Sequence, residues 1–165
     1  MVSPVFKEVQ RFRQVWIWVL VLVPVVISWW AFYKQVVVGD PFGSRPGPDW
    51  LVWTLFIVFG IGFPLLFYSL RLVTEVWHDR VRVALKPFHS RVIKLEEIES
   101  VEAREYRPVV EYGGWGYRIS PKNGVAYNVY GKTGVQLVLT DDRKVLIGSQ
   151  RSEELARAIN SVRGR

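Results

Sequence analysis

VWIWVLVLVPVVISWWAFY, Val15–Tyr33, carries no charged side chain over 19 residues. WLVWTLFIVFGIGFPLLFYSL, Trp50–Leu70, carries none over 21. About 20 apolar residues in a helix cross the hydrocarbon core of a bilayer, and both runs reach that length. A signal peptide does not account for the first run, because WWAFYKQ follows it where a small-residue cleavage site would be needed. A buried soluble helix does not account for the second, because the rest of a 165-residue chain is too short to wrap two such helices. The two runs predict a transmembrane helical hairpin over residues 15–71, with spans of about 15–36 and 50–71.

Aromatic and charged residues around the runs agree with this. Trp16, Trp18, Trp29, Trp30, Trp50, Trp53 and Trp77 lie near the run ends, where amphipathic rings settle at headgroup level. Pro24 and Pro64 predict kinks, and Gly60 and Gly62 would let another helix come close. Neither run holds an ionisable residue of the kind that marks a transport path. Lys7, Arg11 and Arg13 precede the first run, whereas Lys34 and Arg45 of the connecting loop are balanced by Asp40 and Asp49. That bias predicts a multi-pass protein of the cell membrane with both termini cytoplasmic. Residues 1–14 read as an amphipathic cytoplasmic lead-in, with Phe6, Val9 and Phe12 at the interface.

From Leu72 the pattern changes to short alternating runs separated by turn residues. Val81, Val83 and Leu85 alternate with charged neighbours until Pro87. Val92 and Ile93 mark a second strand, and Leu95, Ile98 and Val101 a turn and a third. Val125, Tyr127 and Val129 share one face, and Asp141-Asp142-Arg143 turns a hairpin between Val135–Leu139 and Val145–Ile147. In SEELARAINSVRGR, Leu155, Ala158, Ile159 and Val162 recur at helical spacing, with Ser152 in the capping position. Six or seven antiparallel strands and one amphipathic helix are expected. A curved barrel or sandwich with the helix plugging an open end would bury one sheet face and close its edges, and the barrel is the form expected.

The strand order, LEEIESVEA, the DDRK hairpin and the terminal SEELARAI helix resemble bacterial pleckstrin-homology-like domains. With GGWGYR, GVAYNVYGKTGVQLVL and the two-helix anchor, nearly the whole chain resembles small membrane proteins that carry such a domain. The resemblance implies a pleckstrin-homology-like cytosolic domain over residues 72–165, of α+β or all-β class. It implies no activity for the group.

Little in the sequence points to catalysis or a cofactor. There is no Cys, hence no thiolate nucleophile or thiolate metal site. His78 and His89 lack metal-ligand spacing and read as solvated strand-end residues, and Ser90, Ser120 and Ser149 have no His–Asp constellation nearby in sequence. Glu96, Glu97, Glu99, Glu102 and Glu105 read as a solvated face. Gly113, Gly114 and Gly116 around Trp115 precede a strand rather than a helix, so a bent middle strand is expected there and not a phosphate loop. Arg80, Arg82, Arg91, Arg118 and Lys122, with Arg143 and Lys144, form a candidate basic surface for lipid or partner. The expectation is a non-enzymatic membrane-anchored scaffold or accessory subunit, without cofactor or nucleic acid. It would sit among membrane lipids beside a protein partner or further copies of itself. The alternative is a sensor that binds a lipid headgroup or small ligand on the basic surface.

Overall fold

In the computed structural model, which describes residues 3–164, the chain separates into two units: residues 13–69, and residues 70–164 together with the N-terminal residues as far as Phe12. The first unit is helical. Helix α1 (Val15–Phe32) continues through a π-helical segment, Tyr33–Val38, and ends where Asp40 N–H donates to the Lys34 carbonyl at 2.9 Å. Helix α2 (Asp49–Leu55), a π-helical stretch (Phe56–Gly62) and helix α3 (Phe63–Ser69) form the second arm. Both arms, Val15–Val38 and Asp49–Ser69, are long and apolar enough to cross a membrane.

Pro64 explains the irregular second arm. It has no N–H for the carbonyl four residues back, that of Gly60, and its ring crowds that carbonyl. Widened π-helical turns precede it, and the Gly60 carbonyl accepts Trp29 Nε1–H from α1 at 3.2 Å. A side chain at Gly60 would stand 3.1 Å from Ser28 Oγ and 3.1 Å from the Phe56 ring. Gly60 therefore lets the two arms of one hairpin approach. Gly62 meets its own helix, 3.3 Å from the Ile57 carbonyl. Phe32 stacks on Phe56 at 4.1 Å and meets Trp53 edge-on at 4.7 Å, so Trp29 and Trp53 also hold the hairpin together. Trp16 and Trp18 lie in the first turn of α1, Trp30 lies near its end beside Tyr33, and Trp50 opens α2.

The second unit is β-rich, with two sheets, neither closed into a barrel. The first has four antiparallel strands in sequence order: β1 (Phe6–Arg11), β2 (Arg71–Val76), β3 (Arg80–Lys86) and β4 (His89–Lys94). The second has five, ordered β5-β8-β9-β7-β6, from β5 (Ile98–Glu105), β6 (Gly116–Ser120), β7 (Gly124–Asn128), β8 (Thr133–Leu139) and β9 (Lys144–Gly148). A single 3-10 turn, Leu95–Glu97, carries the chain from one sheet to the other, with Leu95 and Ile98 buried on either side. Inward residues of both sheets, among them Leu72, Val81, Val83, Leu137 and Ile147, make one core. Helix α5 (Ser152–Arg163) adds Leu155, Ile159 and Val162 to it; Leu155 and Ile159 are wholly buried, worth roughly 1.5–3 kcal/mol each.

Several expectations need correction. Residues 6–11 are a strand in the sheet rather than a lead-in lying on a membrane. Phe6 pairs with Val76 and Arg11 with Arg71, so the helical hairpin is an insertion between two neighbouring strands. The alternation in FKEVQR is genuine, but its buried face is Phe6, Glu8 and Gln10, while Val9 is exposed. Strand β2 follows the apolar run with no turn residue between them, so its start carries no sequence marker. The barrel is replaced by two sheets, and the second is not wholly antiparallel, because β7 runs parallel to β9. GGWGYR belongs to an edge strand and to the turn before it. Residue 151, not Ser152, occupies the cap of α5, and no side-chain bond caps it locally.

The polar face of β1 instead holds the segment that leads into α5. The Glu8 carboxylate, 8% exposed, accepts Ser149 Oγ–H at 2.5 Å and Gln150 N–H at 3.0 Å just ahead of α5. Gln10 donates to the Gly148 carbonyl at 2.7 Å. Arg151 lies over the Phe6 ring, 5.0 Å from its centre. Strand β1 thus ties the first sheet to the end of β9. Residues 3–11 joined to 71–164 by an Asn-Gly turn should therefore unfold cooperatively in thermal melts. Residues 71–164 alone lose the Phe6 burial and the charge-assisted bonds of Glu8. They should be less stable by roughly 5 kcal/mol, comparable to the whole stability of a small domain. Equal melting of the two chains would contradict the pairing.

Candidate functional site

The glycine-rich stretch organises one end of the five-stranded sheet. Helix α4 (Pro108–Tyr112) starts on a proline, which has no N–H to leave unsatisfied. It stops at Gly113, whose φ of +73° no branched side chain adopts readily. Gly113 N–H bonds to the Val109 carbonyl and Gly114 N–H to that of Pro108, both at 2.9 Å. The three glycines therefore end a helix and open an edge strand.

A polar network fixes α4 to the sheet. Arg104 of β5 donates to Glu111 Oε2 at 2.8 Å and to Gln136 Oε1 at 3.0 Å. The Tyr112 hydroxyl donates to the Asn123 carbonyl at 3.3 Å, and Asn123 Nδ2–H returns to the Glu111 carbonyl at 2.9 Å. Partial burial alone would push the Glu111 carboxyl up, but the Arg104 guanidinium and the Arg107 N–H outweigh it and hold the carboxyl below its ordinary value of 4.5. Nearby, burial pushes the Tyr106 phenol up to about 12, with Asn128 and Arg104 opposing.

Asn123 belongs to the turn between β6 and β7, where its N–H also bonds Ser120 Oγ at 3.2 Å. The turn ends at Gly124, with φ +79°, and a Cβ there would stand 2.2 Å from the Lys144 carbonyl. Only glycine allows that approach, and it begins the parallel register Val125↔Val145. The turn between β8 and β9 lies beside it. Leu139 N–H bonds the Arg143 carbonyl and Asp142 N–H bonds the Leu139 carbonyl, both at 2.9 Å. The Arg143 guanidinium pairs with Asp141.

These two turns and β4 enclose a groove of about 690 Å3. Arg91, Lys122, Arg143 and Lys144 line it, with Ile119, Val125 and Val138 as apolar wall and Asp142 as its one carboxylate. Lys122 and Lys144 are exposed and have no carboxylate partner among the described residues. Arg91 stands close to the Tyr127 hydroxyl. Burial raises that phenol to about 12, with Tyr117 adding and Arg91 opposing. Tyr127 Oη lies 3.1 Å from His89 Nδ1, and the His89 ring stacks on Tyr117 at 4.4 Å. His89 is exposed at the start of β4, as expected, and also belongs to an aromatic cluster joining the two sheets.

Of the basic residues singled out by sequence, the groove gathers Arg91, Lys122, Arg143 and Lys144. Arg80 pairs with Asp79 at 3.3 Å and lines a different pocket, with Lys94 and Arg163. Arg82 faces Glu75 across the strands, 3.9 Å away, and Lys7 holds the same carboxylate at 3.0 Å. Arg118 folds back on its own strand and donates to the Trp115 carbonyl at 2.9 Å. Trp77 lies outside both apolar arms, in the turn between β2 and β3. Ser149 is buried against Glu8, and no group of three or more His, Cys, Asp or Glu among the described residues is arranged to hold a metal. The Arg104–Glu111–Gln136 network has no local sequence signal, because its members come from β5, α4 and β8.

The lowered Glu111 carboxyl sets a pH dependence. Its folded-state pKa lies below its ordinary value, so the stabilisation is complete above that value and is lost as pH falls through the folded one. Glu111→Gln should lower stability at neutral pH by about 1–3 kcal/mol in chemical unfolding. The gap to the parent chain should close in acid. A gap that stays constant down to pH values at which the Glu111 carboxyl is protonated would refute this role for Glu111.

None of the curated proteins compared matches this sequence. The match that is found, to a family of unknown function, runs over residues 2–164, nearly the full length and both units. The chain therefore belongs to that family, DUF6141.

Proposed function

We propose that the chain is a non-enzymatic, membrane-anchored interaction module. Its hairpin crosses the bilayer twice, and its β unit serves as an accessory surface for a protein partner on the cytoplasmic side. The observation that carries this reading is the insertion of the hairpin between paired strands. Arg11 and Arg71 are Cα partners, which places them about 5 Å apart. A chain that leaves and re-enters one sheet at adjacent positions cannot do so from opposite faces of a hydrocarbon core about 30 Å thick. The two arms therefore cross as a pair or not at all. The basic residues before the first arm favour the cytoplasm for the flanks.

The strand order supports a pleckstrin-homology-like reading of the β unit. β1–β4 form one meander, β5, β8 and β9 a second, and α5 follows. The hairpin β6–β7 is then an addition at the edge, and the helical hairpin replaces the first turn. For the partner, the supporting feature is α4. Val109 and Val110 are 61% and 77% exposed beside a pocket of about 500 Å3 lined by Trp115, Tyr106 and Lys132. A second reading, a sensor of a lipid headgroup or small ligand, is favoured by the basic groove alone.

A photoreactive side chain at Val110 of the full chain, activated in native membranes, should give an adduct larger by the mass of another protein, or of a second copy. Val109→Asp should abolish it. Absence of any protein adduct at Val110, with the chain present at normal level, would sink the partner reading.

A further inference from the structure

We infer that the groove between the β6–β7 and β8–β9 turns is a binding site for a phosphoester; this deepens the sensor reading. Four cations from separate parts of the fold converge there: Arg91 from β4, Lys122 from one turn, Arg143 from the other, and Lys144 from the start of β9. Like charges brought together repel, and the chain supplies little to offset them. Asp141 answers Arg143, and Asp142 is the only carboxylate on the wall. Lys122 and Lys144 face the groove without an ion pair among the described residues. A multiply charged oxyanion resolves this. Guanidinium forks match its oxygens in pairs, and two ammonium groups add unpaired donors.

The site is also built to hold its shape. Gly124 lets the Lys122 turn sit directly on the Lys144 carbonyl, and Asn123 locks that turn to Ser120 and Glu111. Asp141 braces Arg143 through both its N–H and its side chain. A groove of about 690 Å3 with Ile119, Val125 and Val138 on its wall is larger than an inorganic anion needs. The ligand therefore carries an organic part that packs on these side chains. The shared chemistry is a phosphate ester, borne by an acidic lipid or by a soluble metabolite.

The test uses the full chain in phosphatidylcholine nanodiscs. One arm titrates glycerol 3-phosphate calorimetrically, and the other measures phosphatidic acid retained in native mass spectra after release from mixed nanodiscs. Binding in either arm, weakening as salt rises and falling at least about tenfold in Lys122→Glu/Lys144→Glu, supports the site. The arm that responds names the source. Both lysines are exposed, so the variant should keep the parent's melting temperature. The control is Arg80→Glu/Lys94→Glu in the separate pocket, which should bind as the parent does. No binding by the parent in either arm, or equal loss in the control, overturns the site. Val110 lies outside the groove, so the photocrosslinking result stands or falls independently.

Discussion

The pairing of β1 with β2 is the constraint on which the rest depends. Six consecutive residues, Phe6–Arg11, align with Arg71–Val76, and everything between them is helix and loop. The first strand of the sheet therefore finds its partner only where the chain returns from the helical arms. Short links sharpen this, because only Leu70 separates α3 from β2. The closure cost of so long an intervening segment grows slowly with its length, and a hairpin that brings its own ends together reduces it further.

Glu8 and Gln10 make the pairing specific. A purely apolar β1 would slip in register with little penalty, whereas a carboxylate that must meet Ser149 and Gln150 fixes one alignment. Leaving that buried carboxylate unmatched costs more than the bonds add when made. The same logic holds at the other end of the unit, where Arg104, Glu111 and Gln136 satisfy one another and seat α4. Between the helical arms, a proline-freed carbonyl plays the corresponding part by taking the Trp29 indole N–H.

The helical arms, the β8–β9 hairpin and the apolar stripe of α5 were legible because each rests on local periodicity of one residue class. Leu155, Ile159 and Val162 needed nothing distant to be recognised. Strand β1 was not legible, because its buried face carries Glu8 and Gln10 and its exposed face carries Val9, the reverse of the usual pattern. The parallel contact of β7 with β9 was invisible for another reason. It depends on the missing Cβ of Gly124 against a carbonyl twenty residues on, and sequence spacing does not encode that approach. The cations were visible as residues but not as a site. Proximity of Arg91 to Lys122 and Lys144 is a product of topology, and Arg80, Arg82 and Arg118 are drawn off by Asp79, Glu75 and the Trp115 carbonyl.

A hairpin inserted within a sheet and crossing the bilayer as proposed keeps both of its flanks on one side. The chain has no Cys, so single cysteines report without background. Ser44 lies in the loop between the arms and Ser161 on the exposed side of α5. In intact cells, an impermeant thiol reagent should label Ser44→Cys and leave Ser161→Cys unlabelled until the membrane is opened. Labelling of Ser161→Cys in intact cells, with Ser44→Cys protected, would contradict the account.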